Sequence, residues 1–191
     1  MLLFVTETND KTQSDDYLRS LFYSGFFDND GRKYVQLKFV HMDGKQNYRS
    51  KRVEKEIKSS YRQYSSQNKH LIYVFDVDSV SRKDNDLNNE IIRYCADFSI
   101  SNDIIWFFKD IECNFLGHPV NGHSKREEAI RFYGNPSIQT TTKKMIQEWT
   151  KSFSFKKSPE SNVIAILSKY LKLNGRIADE VRQAILKNAS I

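Results

Sequence analysis

The sequence predicts an α/β layered domain with a mainly parallel central sheet, over residues 1–116, and a helical C-terminal extension, over residues 117–191, packed on it. Three observations predict it. His70-Leu71-Ile72-Tyr73-Val74-Phe75 is an unbroken apolar run, too short for a helix and rich in β-branched and aromatic residues. A strand apolar on both faces belongs inside a parallel sheet with helices on either side. Strand-like and helix-like segments then alternate along the first 116 residues, whereas only helical patterns follow Gly117.

Met1 to Thr6 is a second continuous apolar strand, ending at Glu7. It carries no basic flank or cleavage site, so it reads as a strand and not a signal peptide. Ser14 can cap a helix whose inward face is Tyr17, Leu18, Leu21 and Phe22. Gly25 and the cluster Asp28-Asn29-Asp30-Gly31 read as the end of that unit. From Tyr34 to Met42 the pattern alternates, with Val35, Leu37 and Phe39 on one face, as in a strand at an edge or with one exposed face.

A helix over 50–64 places Val53, Ile57, Tyr61 and Tyr64 on one stripe and Lys51, Arg52, Lys55, Lys58 and Arg62 on the other face. The strand at 70–78 comes next. Ser79 to Asn89 reads as a loop passing into a helix with Leu87, Ile91, Tyr94 and Cys95 inward. Asp103 to Phe108 is the fourth strand, with Lys109, Asp110 and Glu112 after it.

In the extension, Ser124 and Glu127 form a capping-box pattern before a helix with Ala129, Ile130 and Tyr133 inward. Gly134-Asn135-Pro136 closes it. A helix over 141–153 carries Met145, Ile146, Trp149 and Phe153. Ser158-Pro159 reads as a helix start leading to Val163, Ile164, Leu167, Tyr170 and Leu171. Asn174-Gly175 stops that helix, and a last one uses Ile177, Val181, Ala184 and Ile185.

Charge is blocked along the chain. The net is −4 over residues 1–30, +8 over 31–70, −5 over 71–116 and +7 over 117–191. Acidic blocks flanked by basic ones suit a cation site beside a polyanion, which points to nucleic acid as partner. The two cysteines, Cys95 and Cys113, have no CxxC spacing, which argues against a zinc ribbon or a disulfide scaffold and suits a cytoplasmic protein. No apolar run is long enough to span a membrane.

The acidic side chains gather where such sheets bind ligands. Ligands of open α/β sheets sit outside the carboxyl ends of the strands. Glu7 ends the first strand, Asp76 and Asp78 end the third, and Asp110 and Glu112 follow the fourth. Asp76 and Asp78 are two apart, so they point to one side. Carboxylates so close repel unless a cation lies between them. Oxygen ligands suit Mg²⁺ or Mn²⁺. Lys109 and Lys125 are candidates to balance phosphate charge, and Arg52, Lys55, Lys58 and Arg62 to hold a nucleic-acid backbone.

The order strand–Glu7–turn–helix, then strand–Asp76-x-Asp78, resembles the Toprim fold, a Rossmann-like layered architecture. That fold is shared by topoisomerases, bacterial primases, a ribosomal-RNA maturation nuclease and the OLD and RloB-like nucleases of phage defence. The resemblance covers residues 1–116 and implies Glu7, Asp76 and Asp78 as metal ligands, with Glu7 alternatively a general base. Asp110 or Glu112 is similar to the second acidic position of OLD and RloB-like proteins. One departure is Thr8, where Toprim glutamates are often followed by glycine.

The resemblance implies a Mg²⁺- or Mn²⁺-dependent nuclease acting on DNA or RNA, with Glu7, Asp76, Asp78 and Glu112 in the catalytic site. The chain is too short for a topoisomerase's further domains and lacks a primase's zinc-binding cysteines. It has no Walker loop, so an ATPase would be a separate partner chain. Assembly into a homo-oligomer is open. Two alternatives stand beside the nuclease. One is a Toprim-like accessory or nucleic-acid-binding module without catalysis. In the other, Asp76-Val77-Asp78 looks like the first motif of haloacid-dehalogenase-type phosphatases, with Asp76 as nucleophile and Asp78 as acid/base.

Overall fold

β1 (Leu2–Thr6) is buried along its whole length, and β3 (His70–Val77) is buried from Leu71 to Phe75. Their two-sided apolar character places them at the centre of a four-stranded, all-parallel sheet, with β2 (Leu37–His41) and β4 (Asn102–Phe108) outside them in the order β2-β1-β3-β4. The computed structural model describes residues 1–9, 14–64, 68–77, 81–152, 161–172 and 176–189.

α1 (Asp15–Arg19) widens into a π-helical stretch at Ser20–Phe26. Next come α2 (Asn29–Tyr34), α3 (Lys51–Gln63), α4 (Arg82–Asp97), α5 (Ile111–Leu116), α6 (Lys125–Tyr133), α7 (Ile138–Ser152), α8 (Val163–Lys169) and α9 (Asp179–Ala189). No helix among the described residues is long and apolar enough to cross a membrane.

Strand order decides where the helices must go. The β1-to-β2 connection steps one way across the sheet, and the later two connections step the other way. Right-handed crossovers therefore put α1 on one face and α3 and α4 on the opposite face. On the second face Leu3, Val5, Val40, Tyr73 and Phe75 pack with Val53 and Ile57 of α3 and Ile91 and Cys95 of α4. Tyr61 and Tyr64 lie partly buried in the same cluster, so the α3 stripe is core.

On the first face, α1 alone cannot cover β3 and β4. The C-terminal helices do so: Ile146, Val163, Leu167, Val181 and Ile185 share one cluster with Leu2, Phe4, Ile72, Val74, Ile105 and Phe107. Close approach at the π stretch depends on Gly25, where a Cβ would meet Thr142 Cγ2 at 2.7 Å and Ile146 Cδ1 at 2.9 Å.

Several local expectations are corrected. Asp28 does not end a unit but starts α2, its Oδ1 accepting from the Gly31 N–H at 2.7 Å. Tyr34 is thus the last residue of a helix, not the first of a strand. Ser81 caps α4, with its hydroxyl accepting from the Asp84 N–H, so the helix begins inside the stretch read as loop. The Ser124 capping box does not form, because Ser124 has helical backbone angles and makes no side-chain cap bond. In α6, Ile130 and Tyr133 are exposed and Phe132 faces inward, where it packs on the Tyr17 and Phe115 rings. α7 begins at Ile138, three residues earlier than its pattern predicts. Phe153, Ser158-Pro159 and Asn174-Gly175 lie outside the described residues.

β4 is an edge strand, and an open edge is a template for unwanted pairing. Asn162 covers it: Oδ1 accepts from the Trp106 N–H and Nδ2 donates to the Ile104 carbonyl, both at 2.8 Å. This explains why Asn162, at the start of α8, makes no side-chain cap bond of its own. Asn162→Ala is expected to cost about 1–2 kcal/mol, since two half-buried backbone groups of the edge lose their bonds. Urea melts would read the loss, and an unchanged midpoint would assign Asn162 no role at the edge.

Candidate functional site

The strand order reverses between β1 and β3, and it is outside the carboxyl ends of such a switch point that α/β sheets bind ligands. Glu7 and Asp76 occupy this place. Glu7 Oε2 accepts the backbone N–H of Asp76 at 3.3 Å, which ties the two strand ends together. Asp78 lies outside the described residues.

The turn after β1 is held by backbone bonds from the next strand's exit. Met42 donates to the Thr6 carbonyl at 2.8 Å, Gly44 to that of Glu7 at 2.8 Å and Asp43 to that of Thr8 at 3.3 Å. Among the described non-glycine residues only Asp43 and Lys109 have positive φ. Thr8 therefore sits in ordinary backbone, with no left-handed conformation that would call for glycine. The left-handed turn lies instead at Asp43-Gly44, with φ of 60° and 108°.

Electrostatics concentrate on Asp76. Its carboxyl titrates well above the usual carboxylate range, first because burial disfavours the charge, then because Glu7, Glu112 and Asp110 repel it. Lys125 acts in the opposite sense. Glu112 is 1% exposed and accepts from Lys125 Nζ at 3.0 Å. Burial alone would lower the Lys125 ammonium, but Glu112, Asp76 and Asp110 outweigh it and hold it above its ordinary value. Tyr17 joins this group from α1: burial and then the charge of Glu112 raise its phenol.

Asp110 has a local task. It is the N-cap of α5, and Oδ1 accepts from the Cys113 N–H at 2.6 Å. Its charge still acts on Asp76. Lys109 is exposed in the left-handed turn between β4 and α5, where its N–H donates to the Val77 carbonyl at 3.0 Å.

Sequence reasoning missed Lys45. It follows the Asp43-Gly44 turn, is only 7% exposed, donates from Nζ to the Asp76 carbonyl and lies 5.7 Å over the Trp106 ring. A lysine in a polar turn carries no pattern that marks burial, so its one signal was its place after the second strand.

The basic face of α3 divides into two kinds of residue. Arg52 is committed to structure, bonding Glu56 at 2.9 Å and the carbonyls of His41 and Met42 at 2.8 and 3.1 Å. Lys58 pairs with Glu54 at 3.5 Å. Lys55 and Arg62 are exposed and make no ion pair or hydrogen bond among the described residues.

The donor set is all carboxylate, which fits a hard cation and not zinc. Among the described residues, no three His, Cys, Asp or Glu side chains group closely enough to hold a metal ion by themselves. Glu7 and Asp76 are two members of the expected set of three. Comparison with models of known protein families, with curated proteins and with solved structures finds no match.

Proposed function

We propose that this chain is a Toprim-type, Mg²⁺- or Mn²⁺-dependent phosphodiesterase acting on nucleic acid, with its centre at Glu7 and Asp76. The observation that carries this reading is the meeting of Glu7 and Asp76 at the switch point between β1 and β3, joined by the bond from the Asp76 N–H to Glu7 Oε2. There a half-buried carboxyl lies among Glu7, Glu112 and Asp110, and burial with these neighbours raises it above the usual carboxylate range, a cost that a bound cation would relieve. Acids from three strand ends that gather at a switch point, where such sheets bind ligands, point to function.

In this reading Glu7, Asp76 and Asp78 hold the ion, which when bound polarises a phosphoryl oxygen and lowers the pKa of water. The chain's own residues supply the rest. The Asp76 N–H fixes the Glu7 carboxylate through Oε2, so that ligand is oriented before any ion arrives. Lys45 holds the Asp76 backbone through its carbonyl. Lys125, anchored on buried Glu112, places a fixed positive charge by Asp76, where it would offset charge building on a phosphoryl group. Glu112 then acts through Lys125, and Asp110 through the field and through the cap of α5. The phosphatase alternative, with Asp76 as nucleophile, gives no role to the bond between Glu7 and the Asp76 N–H.

End-labelled single- and double-stranded DNA and RNA, incubated with Mg²⁺, Mn²⁺ or EDTA, test the proposal. Cleavage should need the metal and disappear in Asp76→Asn. Hydrolysis of a small phosphomonoester with no cleavage of nucleic acid would select the phosphatase. Nucleic-acid binding with neither activity would select the inactive module.

Nucleic-acid binding is assigned to the Lys55 and Arg62 side of α3, because Arg52 and Lys58 already have protein partners. Replacing both Lys55 and Arg62 by Ala should weaken binding alike across sequences. It should also flatten the slope of log K against log salt, by roughly 0.9 for each duplex-DNA phosphate that the variant no longer neutralises. Fluorescence anisotropy over a salt series reads this, and an unchanged slope would remove α3 from the interface.

A further inference from the structure

The opposite, amino-terminal edge of the sheet holds a cavity of about 750 Å³, which the reading above does not use. Its floor is the start of β1 and β3, with Leu2 and His70. One wall is Tyr34 and Val35 from the end of α2. The other wall is the start of β4, with Asp103, and the residues ending the α8 unit, Lys169, Tyr170 and Lys172.

Three features narrow what this cavity takes. The first is charge: Lys69, Lys169 and Lys172 line it against one carboxylate, Asp103. That carboxylate is already occupied on both oxygens, by Lys169 on Oδ1 and by the Tyr170 hydroxyl on Oδ2 at 2.8 Å. The cationic excess therefore belongs to Lys69, Lys172 and the Met1 ammonium, the last of which donates to the Asn68 carbonyl at 2.7 Å. Lys69 Nζ donates to the Tyr61 carbonyl at 2.8 Å, which fixes the ammonium at the rim. Lys172 is exposed and makes no hydrogen bond or ion pair among the described residues.

The second feature is aromatic surface. Tyr34 is 76% exposed, the most exposed large hydrophobic side chain among the described residues, and it stands on the wall of a concave site. An exposed aromatic face beside a cationic rim suits a flat ring carrying an anionic group. Across the cavity, His70 packs edge-on to Tyr170 at 5.2 Å, and burial, then the neighbouring terminal ammonium, keep its imidazole on the neutral side of its ordinary value. A neutral imidazole offers one donor and one acceptor, the pair that a heterocycle edge or a ribose hydroxyl needs.

The third feature is size. Ligand cavities run from roughly 300 to 1,000 Å³. This one is far larger than a lone phosphate ion needs and is of the scale of a ring, a sugar and a phosphate together. We propose that the cavity binds a mononucleotide, with its phosphate between Lys69 and Lys172 and its base against Tyr34. It lies a five-residue strand, roughly 16 Å, from the acidic edge. Occupancy of one site is thus physically separate from occupancy of the other.

Calorimetric titration of the full chain with AMP, adenosine and inorganic phosphate, all in EDTA, tests the site. AMP should bind at least tenfold more tightly than adenosine or phosphate alone. Tyr34→Ala should weaken AMP about tenfold or more, as expected for loss of one stacking partner. Lys172→Ala should weaken AMP and leave adenosine unchanged. Both side chains are exposed, so neither variant threatens the fold. Asp76→Asn should bind AMP as the parent does, whether or not the nuclease proposal holds. Absence of AMP binding at millimolar concentration would overturn the proposal. So would phosphate binding as tightly as AMP, or loss of AMP binding in Asp76→Asn with none in Tyr34→Ala.

Discussion

Asp76→Asn is expected to melt several degrees above the parent chain while losing all metal-dependent cleavage. The folded protein raises this carboxyl above its unfolded value, by burial and by Glu7, Glu112 and Asp110. Between the unfolded and folded pKa values the native state then binds more protons than the unfolded state, so stability falls as pH rises through that window. The loss starts just above the ordinary carboxyl value of 3.8 and extends upward. An amide keeps the shape, exchanges one acceptor oxygen for an NH2 donor and carries no charge to desolvate.

The gain near neutral pH should be about 1–2 kcal/mol, as is common when a functional group is removed. In a chain of this size that is roughly 2–4 °C for each kcal/mol. Melts from pH 4 to 8 should show the parent losing ground to the variant as pH rises. Mn²⁺ should reverse the order. At a hundred times its dissociation constant a ligand stabilises by about 2.7 kcal/mol, and only the parent should gain it. A variant that melts lower than the parent at every pH would mean that Asp76 is a structural acid, and the centre proposed here would go with it.

That centre was legible because of where acids fall on strands. An apolar run that stops at a carboxylate marks both a strand and its end, and parallel pairing brings such ends to one edge. Glu7 and Asp76 could be read in this way although 69 positions separate them. Lys45 could not, because its burial depends on a left-handed turn that swings it under Asp76. The layer made by the C-terminal helices was hidden for a similar reason. Their apolar faces showed that they cover something, but only the order β2-β1-β3-β4 shows a bare face over β3 and β4. In α6 the residues Ala129, Ile130, Phe132 and Tyr133 offer two inward stripes of similar strength. The choice is made by the Tyr17 and Phe115 rings on other elements, so no local pattern contains it.

Gly31→Ala should be among the most damaging single methyl additions in the chain. The turn residues around it are a seam between distant segments. The Asp28 N–H donates to the Arg176 carbonyl and the Ala178 N–H to the Phe26 carbonyl, both at 3.0 Å, and Phe27 pairs with Ile177 in an antiparallel bridge. A Cβ on Gly31 would lie 2.2 Å from the Arg176 carbonyl oxygen and 3.0 Å from its nitrogen. These are backbone atoms held by the seam itself, so no side chain can rotate to make room.

Opposing this, alanine is favoured over glycine inside a helix by up to about 1 kcal/mol, and Gly31 lies in the first turn of α2. Overpacking costs about 1–3 kcal/mol, and displaced backbone bonds add to it. The net expectation is a loss of about 2–3 kcal/mol, roughly 4–12 °C in melting temperature. Gly122→Ala is the control, since nothing lies within 4 Å of a Cβ there and the change should stay within about 0.5 kcal/mol. Equal stability of the two variants would mean that residues 28–31 and 176–178 do not meet as described. A selective loss in Gly31→Ala would show that the last helix is stitched to the first crossover through backbone atoms, so that closing the layer over β3 and β4 depends on a glycine far away in sequence.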